Sequence, residues 1–174
     1  MSNERITVSQ LEEYWDAVSA AKEGDSFQRI PLNRLPPWEK ICSELRWHHY
    51  LLSAGYFSGE FHDFRGVYRL IGLAAPGKLN EPALLNRVCK QDLSGTLYIG
   101  CAGRLHERLN QMRVRRPTHD AIISLRRIPT LDFPQEKLAV ALLYTGRAFR
   151  TVETMLIEAY MGTFGDTPPL NYRT

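Results

Sequence analysis

Hydrophobic and polar positions along this chain follow two different periods. Within 61–73, one set of alternate positions holds Val67, Arg69, Ile71 and Leu73 and the other holds Tyr68, Leu70 and Gly72, and apolar runs occupy 96–100 and 138–144. A period of two and a short unbroken apolar run are both typical of strands in a covered sheet. The pattern therefore predicts three core strands, with 138–144 at the centre because its run is uninterrupted.

Elsewhere, apolar residues recur at every third or fourth position, which predicts helices. These helices are expected over 7–23, from Pro36 to Gly55, and over 83–88, 105–116, 121–127 and 152–161. Thr7 and Gln10 have the spacing of a capping box, and Thr151 is the expected cap of the last helix, with Glu153 in its first turn. The buried face of the second helix is predicted from Ile41, Leu45, His48 or His49, and Leu52.

The order of these elements predicts an α/β (α+β) protein with two parts. Residues 1–60 form a helical N-terminal extension, and residues 61–174 form a domain with a small three-stranded mixed sheet flanked by helices. Residues 74–95 are an insertion between the first two strands. The extension either braces the domain or helps to read a substrate, and its net charge of −3 favours the brace.

Length and composition exclude several classes of protein. A chain of 174 residues is long enough for one well-buried core. No apolar run has the length of a membrane span, and the polar start is not a signal peptide. The three cysteines, Cys42, Cys89 and Cys101, include no C-x-x-C pair, which argues for a reducing, cytoplasmic compartment and against a disulfide framework or a zinc site.

Positive charge is concentrated between residues 103 and 127. The whole chain has a net charge of +3, but this segment contains 7 arginines against Glu107 and Asp120. Along its predicted helix, Leu105, Leu109 and Met112 form a buried stripe, while the arginines form a second, polar stripe. An arginine-rich surface suits a nucleic-acid backbone, although a solvated helix face gives the same pattern.

Two triplets flank the insertion, Gly66-Val67-Tyr68 and Tyr98-Ile99-Gly100. Together they resemble the signature of the GIY-YIG nuclease superfamily. Further features in the family's order are Ala102, then Arg108 eight residues after Gly100, Glu158 within an apolar helix, and Asn171 near the end of the chain. The resemblance covers roughly residues 64–172, and its strength lies in the ordered set, because each triplet alone is common.

The resemblance implies a site and a chemistry. Tyr68 and Tyr98 would line the active site, with Tyr68 activating the attacking water and Tyr98 orienting it. Arg108 would hold the charge that develops on the phosphate, and Glu158 would bind Mg²⁺ or Mn²⁺. Asn171 would hydrogen-bond a catalytic tyrosine or the backbone and tie the tail over the site.

Further residues are expected to contact nucleic acid rather than to perform the reaction: Arg104, Arg115, Arg116 and His119. For each residue a plainer role remains open. The tyrosines could be ordinary half-buried sheet residues, Arg108 a surface ion-pair partner, Glu158 a solvated helix acid and Asn171 a turn former.

The function expected from the resemblance is metal-dependent hydrolysis of DNA phosphodiester bonds, with RNA not excluded. A stand-alone chain of this size resembles a restriction or defence endonuclease, and a delivered antibacterial toxin or a homing-type endonuclease are the alternatives. Cutting both strands would favour a homodimer. Two other classes remain open: a catalytically inactive nucleic-acid-binding module and a structural adaptor.

Overall fold

A four-stranded sheet lies at the centre of the computed structural model, which describes residues 7–11, 13, 35–53, 55, 64–114, 119–131 and 133–171. The helices are α1 (Trp38–Glu44), α2 (Leu105–Arg113), α3 (Asp120–Arg127) and α4 (Phe149–Phe164). The strands are β1 (His48–Leu51), β2 (Gly66–Gly72), β3 (Leu85–Asn86), β4 (Gln91–Asp92), β5 (Thr96–Ala102) and β6 (Leu138–Tyr144). Short 3₁₀ turns cover Pro129–Leu131, Gln135–Lys137 and Gly146–Ala148.

The main sheet has the order β1-β6-β2-β5, and every pairing in it is antiparallel. All of β2 and all but the last residue of β6 are buried, as expected for strands covered on both faces. The three predicted core strands are therefore confirmed, but the strand between the other two is β2, and β6 is an interior strand only because β1 pairs with its other edge. The prediction of a three-stranded mixed sheet is wrong in two respects, because a fourth strand is present and no pair is parallel.

The fourth strand, β1, comes from the segment that was predicted to continue a helix. Helix α1 ends at Glu44, and Leu45 is already extended, with φ −70° and ψ 142°. Histidine and tyrosine at positions 48–50 favour an extended chain, and antiparallel pairing with β6 decides the outcome. Since Trp38 and Ile41 are completely buried, this part of the predicted extension packs into the same core as the sheet.

The start of the chain is described only in part. Residues 8–11 and 13 are helical. The backbone N–H of Thr7 donates to Gln10 Oε1 at 2.8 Å, and the N–H of Gln10 donates to Thr7 Oγ1 at 3.3 Å. These two bonds confirm the predicted capping box. The remainder of the predicted helix over 7–23 lies outside the described residues.

The insertion at 74–95 forms a small two-stranded sheet, β3 with β4, so the short helix predicted at 83–88 is wrong. Its backbone bonds to the main strands instead: the N–H of Ala83 donates to Gly72 O at 2.8 Å. Arg87 then donates to both carboxylate oxygens of Asp166 and to Thr167 O, at 2.7 Å for the last. The insertion thus holds the segment that follows α4.

Helices cover both faces of the main sheet. Helices α1 and α4 pack on one face, and α2 and α3 pack on the other. The helices predicted at 105–116, 121–127 and 152–161 correspond to α2, α3 and α4, but α4 begins at Phe149, so Thr151 lies inside it and is not its cap. All three cysteines are free thiols. None of the helices in the described ranges is both long and apolar enough to span a bilayer.

Candidate active site

The two signature glycines lie where the sheet leaves no room for a side chain. A Cβ atom on Gly66 would be 2.2 Å from Leu143 O. Gly100 is the register partner of Tyr68, and a Cβ there would be 2.6 Å from Tyr68 Oη and 2.5 Å from Tyr98 Cε1. Gly100 therefore allows the two tyrosine rings to approach each other over the strand.

Three aromatic rings meet at this point. The ring centroids of Tyr68 and Tyr98 are 6.0 Å apart, and His119 lies 6.1 Å from the first and 6.0 Å from the second. Tyr68 and His119 are completely buried, and Tyr98 is 6% exposed. Residues from β2, β5 and the turn before α3 thus form one compact cluster, which we call the phenol cluster.

The protonation of His119 follows from its contacts. Its Nδ1 accepts a hydrogen bond from the backbone N–H of Ala121 at 3.2 Å, so the ring proton is on Nε2. Nε2 lies 3.2 Å from Tyr68 Oη and donates to it. Burial, together with the positive charge of Arg108, lowers the pKa of His119 to about 4, so the ring is neutral at physiological pH.

Arg108 is the second donor to the same phenol oxygen. Its Nε lies 3.4 Å from Tyr68 Oη, while Nη2 is 3.0 Å from Asp120 Oδ2 and Nη1 is 3.4 Å from Gln111 Oε1. Burial raises the pKa of Tyr68 well above its ordinary value of 10, and the nearby Arg108 opposes this rise only in part. Tyr68 therefore carries its proton at neutral pH while its oxygen accepts two N–H bonds.

Arg108 also faces an open groove of about 600 Å³. Three arginines and one acid line this basic groove, together with small, polar and aromatic residues: Arg65, Ala102, Gly103, Arg104, Glu107, Arg108, Gln111 and Phe149. Arg104 is exposed and pairs with Glu107 at 3.0 Å. An exposed pair of this kind is weak and would exchange readily for a phosphate.

A second cavity of about 260 Å³ lies at the outer edge of β5, the edge that does not pair with β2. Its lining contains two carboxylates and one phenol of the cluster: Tyr98, Asp120, Glu153, Thr154, Ile157, Thr167, Leu170 and Asn171. We call it the acidic cleft. Burial raises the pKa of Tyr98 to about 12, and the charges of Asp120 and Glu153 add to the rise.

One of the two acids beside the phenols is Glu153, which the sequence pattern predicted only as a first-turn charge of the last helix. Glu153 Oε2 accepts a hydrogen bond from Cys101 Sγ at 2.9 Å, and its charge acts on both tyrosines. Glu158 is partly exposed and lies outside the lining of the acidic cleft. Five helical positions separate the two acids, which places them about 140° apart around α4.

Asn171 closes the acidic cleft by binding to the edge strand. Its Oδ1 accepts the backbone N–H of Ile99 at 2.8 Å, and its Nδ2 donates to Ile99 O at 2.6 Å. The N–H of Leu170 donates to Leu97 O at 2.8 Å. The side chain of Asn171 thus pairs with β5 as another strand would, which agrees with the predicted backbone bond and tail position.

The structure brings Tyr68, Tyr98, Arg108 and His119 together. Of the predicted site residues, Arg104 and Arg108 line the basic groove, Tyr98 and Asn171 line the acidic cleft, and Glu158 lines neither. Arg115 and Arg116 lie outside the described residues. Sequence reasoning missed the positions of Asp120, Glu153 and Arg65, and the nearest signal was that Asp120 directly follows His119.

The donor set of the acidic cleft suits a hard cation. Its carboxylate oxygens are the ligand type that Mg²⁺ prefers, and Mg²⁺ sites at phosphate-transfer centres often use one or two carboxylates with water and substrate oxygens. Within the described ranges, no three histidine, cysteine or acidic side chains are grouped so that they could hold a metal.

Comparison of the chain with family models, with curated proteins and with solved structures found no match.

Proposed function

We propose that this protein is a metal-dependent endonuclease that hydrolyses DNA phosphodiester bonds with a GIY-YIG-like site. The observation that carries the proposal is the position of Arg108. One guanidinium contacts the phenol cluster at Tyr68, pairs with Asp120 of the acidic cleft, and lines the basic groove. A phosphate bound to Arg108 would lie between the phenol cluster, which is suited to hold a water, and the acidic cleft, which is suited to hold a cation.

The basic groove would bind the backbone of the substrate. Arg65 and Arg104 supply positive charge along it, and Arg108 donates to the scissile phosphate. Phosphodiester hydrolysis builds negative charge on the phosphoryl oxygens, and a guanidinium that donates to these oxygens stabilises that charge. The Arg108 side chain is 26% exposed, and in the absence of substrate its guanidinium is held beside the groove by Tyr68, Gln111 and Asp120.

A movement of Arg108 towards the phosphate would also open the phenol cluster to water. Arg108 covers the oxygen of Tyr68, and a phosphate in the basic groove would draw the guanidinium away from it. The freed oxygen then holds the attacking water, with His119 Nε2 fixing its position. Because Tyr68 is protonated at neutral pH, a general-base role additionally requires a cation close enough to lower its pKa. Tyr98, which faces the acidic cleft, orients the water from the other side.

A Mg²⁺ or Mn²⁺ ion bound here would stabilise charge on the phosphate and the leaving oxygen. Glu153 is the carboxylate we propose to hold it, in place of the predicted Glu158, since of these two residues Glu153 lines the acidic cleft and Glu158 does not. Asp120 is the second candidate donor, and it becomes available when Arg108 turns to the phosphate.

Within this reaction class, we propose a restriction or defence role, with a delivered toxin or a homing-type enzyme as the alternative. The cutting of both strands would proceed through a homodimer. The competing proposal is a nucleic-acid-binding module without activity, which would use the basic groove alone.

Cleavage of a supercoiled plasmid tests the proposal. Wild-type protein should nick the plasmid in Mg²⁺ and not in EDTA, and Arg108→Lys should reduce the rate by about a hundredfold because the fork of donors is lost. Arg46→Lys, an exposed arginine outside both cavities, is the matched control and should retain the wild-type rate. If the wild type cleaves neither DNA nor RNA in Mg²⁺ or Mn²⁺, the enzymatic proposal fails. Salt-dependent DNA binding would then favour the binding module.

A further inference from the structure

An aromatic surface lies beside the basic groove, at the end of the sheet where β2 begins and β6 ends. Two hydrogen bonds fix the segment that carries it: the N–H of Leu105 donates to Phe64 O at 3.1 Å, and the N–H of Thr145 donates to Arg65 O at 3.3 Å. The two residues before β2 are therefore tied to both the start of α2 and the end of β6. This surface is pre-organised rather than loose.

Three aromatic rings contact one another in a row that ends in solvent, with neighbouring planes tilted by 45° and 40°. His48 contacts Tyr144, with ring centroids 5.1 Å apart, and Tyr144 contacts Phe64 at 4.6 Å. Phe64 is 45% exposed. A flat, exposed ring supported from behind by two others offers a face on which another planar group can stack. We call Phe64 and Tyr144, with His48 behind them, the aromatic shelf.

Positive charge surrounds the aromatic shelf. The cavity above it, of about 330 Å³, is lined by Phe64, Arg65, Tyr144, Gly146 and Arg147. Both arginines are exposed, and neither forms a salt bridge with an acid in the part of the chain that the structure describes. Arg65 lines this cavity and the basic groove alike, so the two are neighbours on the surface.

We propose that the aromatic shelf binds one unpaired nucleobase of the substrate strand, while Arg65 and Arg147 bind the phosphates on either side of it. This inference depends on the proposed nucleolytic function, since the adjoining basic groove is where the same strand would present its scissile phosphate. Aromatic rings next to arginines in a groove are how single strands are held without sequence preference. In a duplex both faces of each base are covered by neighbours, so stacking on the shelf requires an unpaired or flipped base.

The proposal identifies the preferred substrate as one with an unpaired nucleotide beside the cut, such as an overhang, a flap or a bulge. DNA and RNA share the stacking face, and they differ in the 2′-hydroxyl, so both sugars are compared in the test.

The test measures binding without cleavage, in EDTA, with short oligonucleotides that carry one 2-aminopurine. The probe is a single strand of DNA or RNA, or a blunt duplex with the same label paired internally. The variants are Phe64→Ala and, as the control, Leu93→Ala, an exposed apolar residue just before β5, at the opposite end of the sheet. Plasmid cleavage in Mg²⁺ is measured in parallel.

Wild type and Leu93→Ala should quench the 2-aminopurine of the single strand, and Phe64→Ala should bind that strand about tenfold more weakly, with little change for the duplex. The inference is overturned if Phe64→Ala weakens single-strand and duplex binding equally, or weakens neither, while plasmid cleavage persists. If the wild type binds no oligonucleotide and cleaves no plasmid, the proposed function fails together with it.

Discussion

Two neighbouring residues of β2, Tyr68 and Arg69, point to opposite faces of the same sheet and show what distinguishes a structural polar group from a candidate functional one. Both are buried, with exposures of 0% and 3%. Tyr68 has Arg108 and His119 as partners, and these connect it to two cavities. The partners of Arg69 belong to the interior of the opposite face. Burial alone therefore does not separate the two roles.

The surroundings of Arg69 form a closed network. Its guanidinium lies over the rings of Trp47 and Trp38, at 4.4 Å and 5.5 Å, and Nη1 donates to Cys42 Sγ and to Thr96 Oγ1. Hydroxyl groups of Thr96 and Ser94 link it onward to Asp92.

Asp92 is the acidic end of this network. It is completely buried and accepts four hydrogen bonds, from the N–H and hydroxyl of Ser94, the N–H of Thr96 and the hydroxyl of Tyr160. The positive charge of Arg69 is thereby linked to the negative charge of Asp92 through the hydroxyl groups of Thr96 and Ser94. The partners of a buried polar residue, and whether those partners reach a cavity, therefore distinguish a candidate functional group from a structural one.

Replacing Arg69 should produce the largest effect, and it should be an effect on stability. Arg69→Leu leaves Asp92 without its balancing charge, so the free energy of unfolding should fall by about 3–5 kcal/mol in urea titrations. Cleavage per folded molecule should stay close to that of the wild type. An unchanged urea midpoint would show that Arg69 does not stabilise the fold. A loss of cleavage activity in the folded protein would show that Arg69 also acts in the reaction.

His119 should make stability depend on pH on the Tyr68 face. Its pKa in the folded state is about 4 against 6.5 for the ordinary side chain, so the unfolded chain takes up the proton first as pH falls. Stability is then lost as pH falls from 6.5 to about 4, by about 3 kcal/mol. Asp120, Arg108 and the two phenols face the ring, and the other carboxylates also titrate in acid.

Urea unfolding of wild type and His119→Gln at several pH values isolates this contribution, because the carboxylates are common to both proteins. The wild type should lose more stability than the variant over that range. Parallel curves for the two proteins would show that the histidine is not held neutral by the fold.

Tyr68→Phe should affect the reaction more than the fold. The change removes the oxygen proposed to hold the water, and the rate of plasmid cleavage should fall by about a hundredfold. Tyr160→Phe is the matched control, since it removes a buried phenol oxygen on the opposite face that contacts Asp92. That variant should lose stability and retain the rate per folded molecule. Equal rates for the two variants would remove the distinction between the faces.

The smallest effect should come from the two hydrogen bonds by which the Asn171 side chain binds the backbone of Ile99 at the edge of β5. Asn171→Asp keeps the acceptor for the N–H of Ile99 but places an oxygen against Ile99 O, so the free energy of unfolding should fall by about 2 kcal/mol. Asn86→Asp, at an exposed amide whose oxygen accepts from Gln91, is the control and should change little. Thermal unfolding of both variants checks the difference.

The parts of the fold that were predicted correctly are those with a signal inside the element itself. The seven apolar residues of β6 favour burial through their own side chains, and they form a strand over the predicted residues 138–144. Strand β1 has only four residues and becomes a strand through pairing with β6, so no local period could reveal it. The hairpin of the insertion likewise depends on bonds to β2 and to the segment after α4.

The candidate site was likewise predicted only in part. The resemblance placed Tyr68, Tyr98 and Arg108 together, and the sheet register and α2 bring them into contact. Which acid joins them depends on how α4 lies against the edge of β5, and that orientation is set by packing between distant segments. Glu158 was predicted to bind the metal because it is the only charge in an apolar stretch. The packing instead turns Glu153 towards the phenols.

The identity of the metal-binding acid is the most direct test of the account. Single-turnover cleavage of an oligonucleotide should be measured for Glu153→Gln and Glu158→Gln across a Mg²⁺ titration, with unfolding curves for both variants. The account predicts that Glu153→Gln lowers the rate by at least about a hundredfold and that Glu158→Gln stays near the wild type. A full rate for Glu153→Gln with a lost rate for Glu158→Gln would contradict the site proposed here.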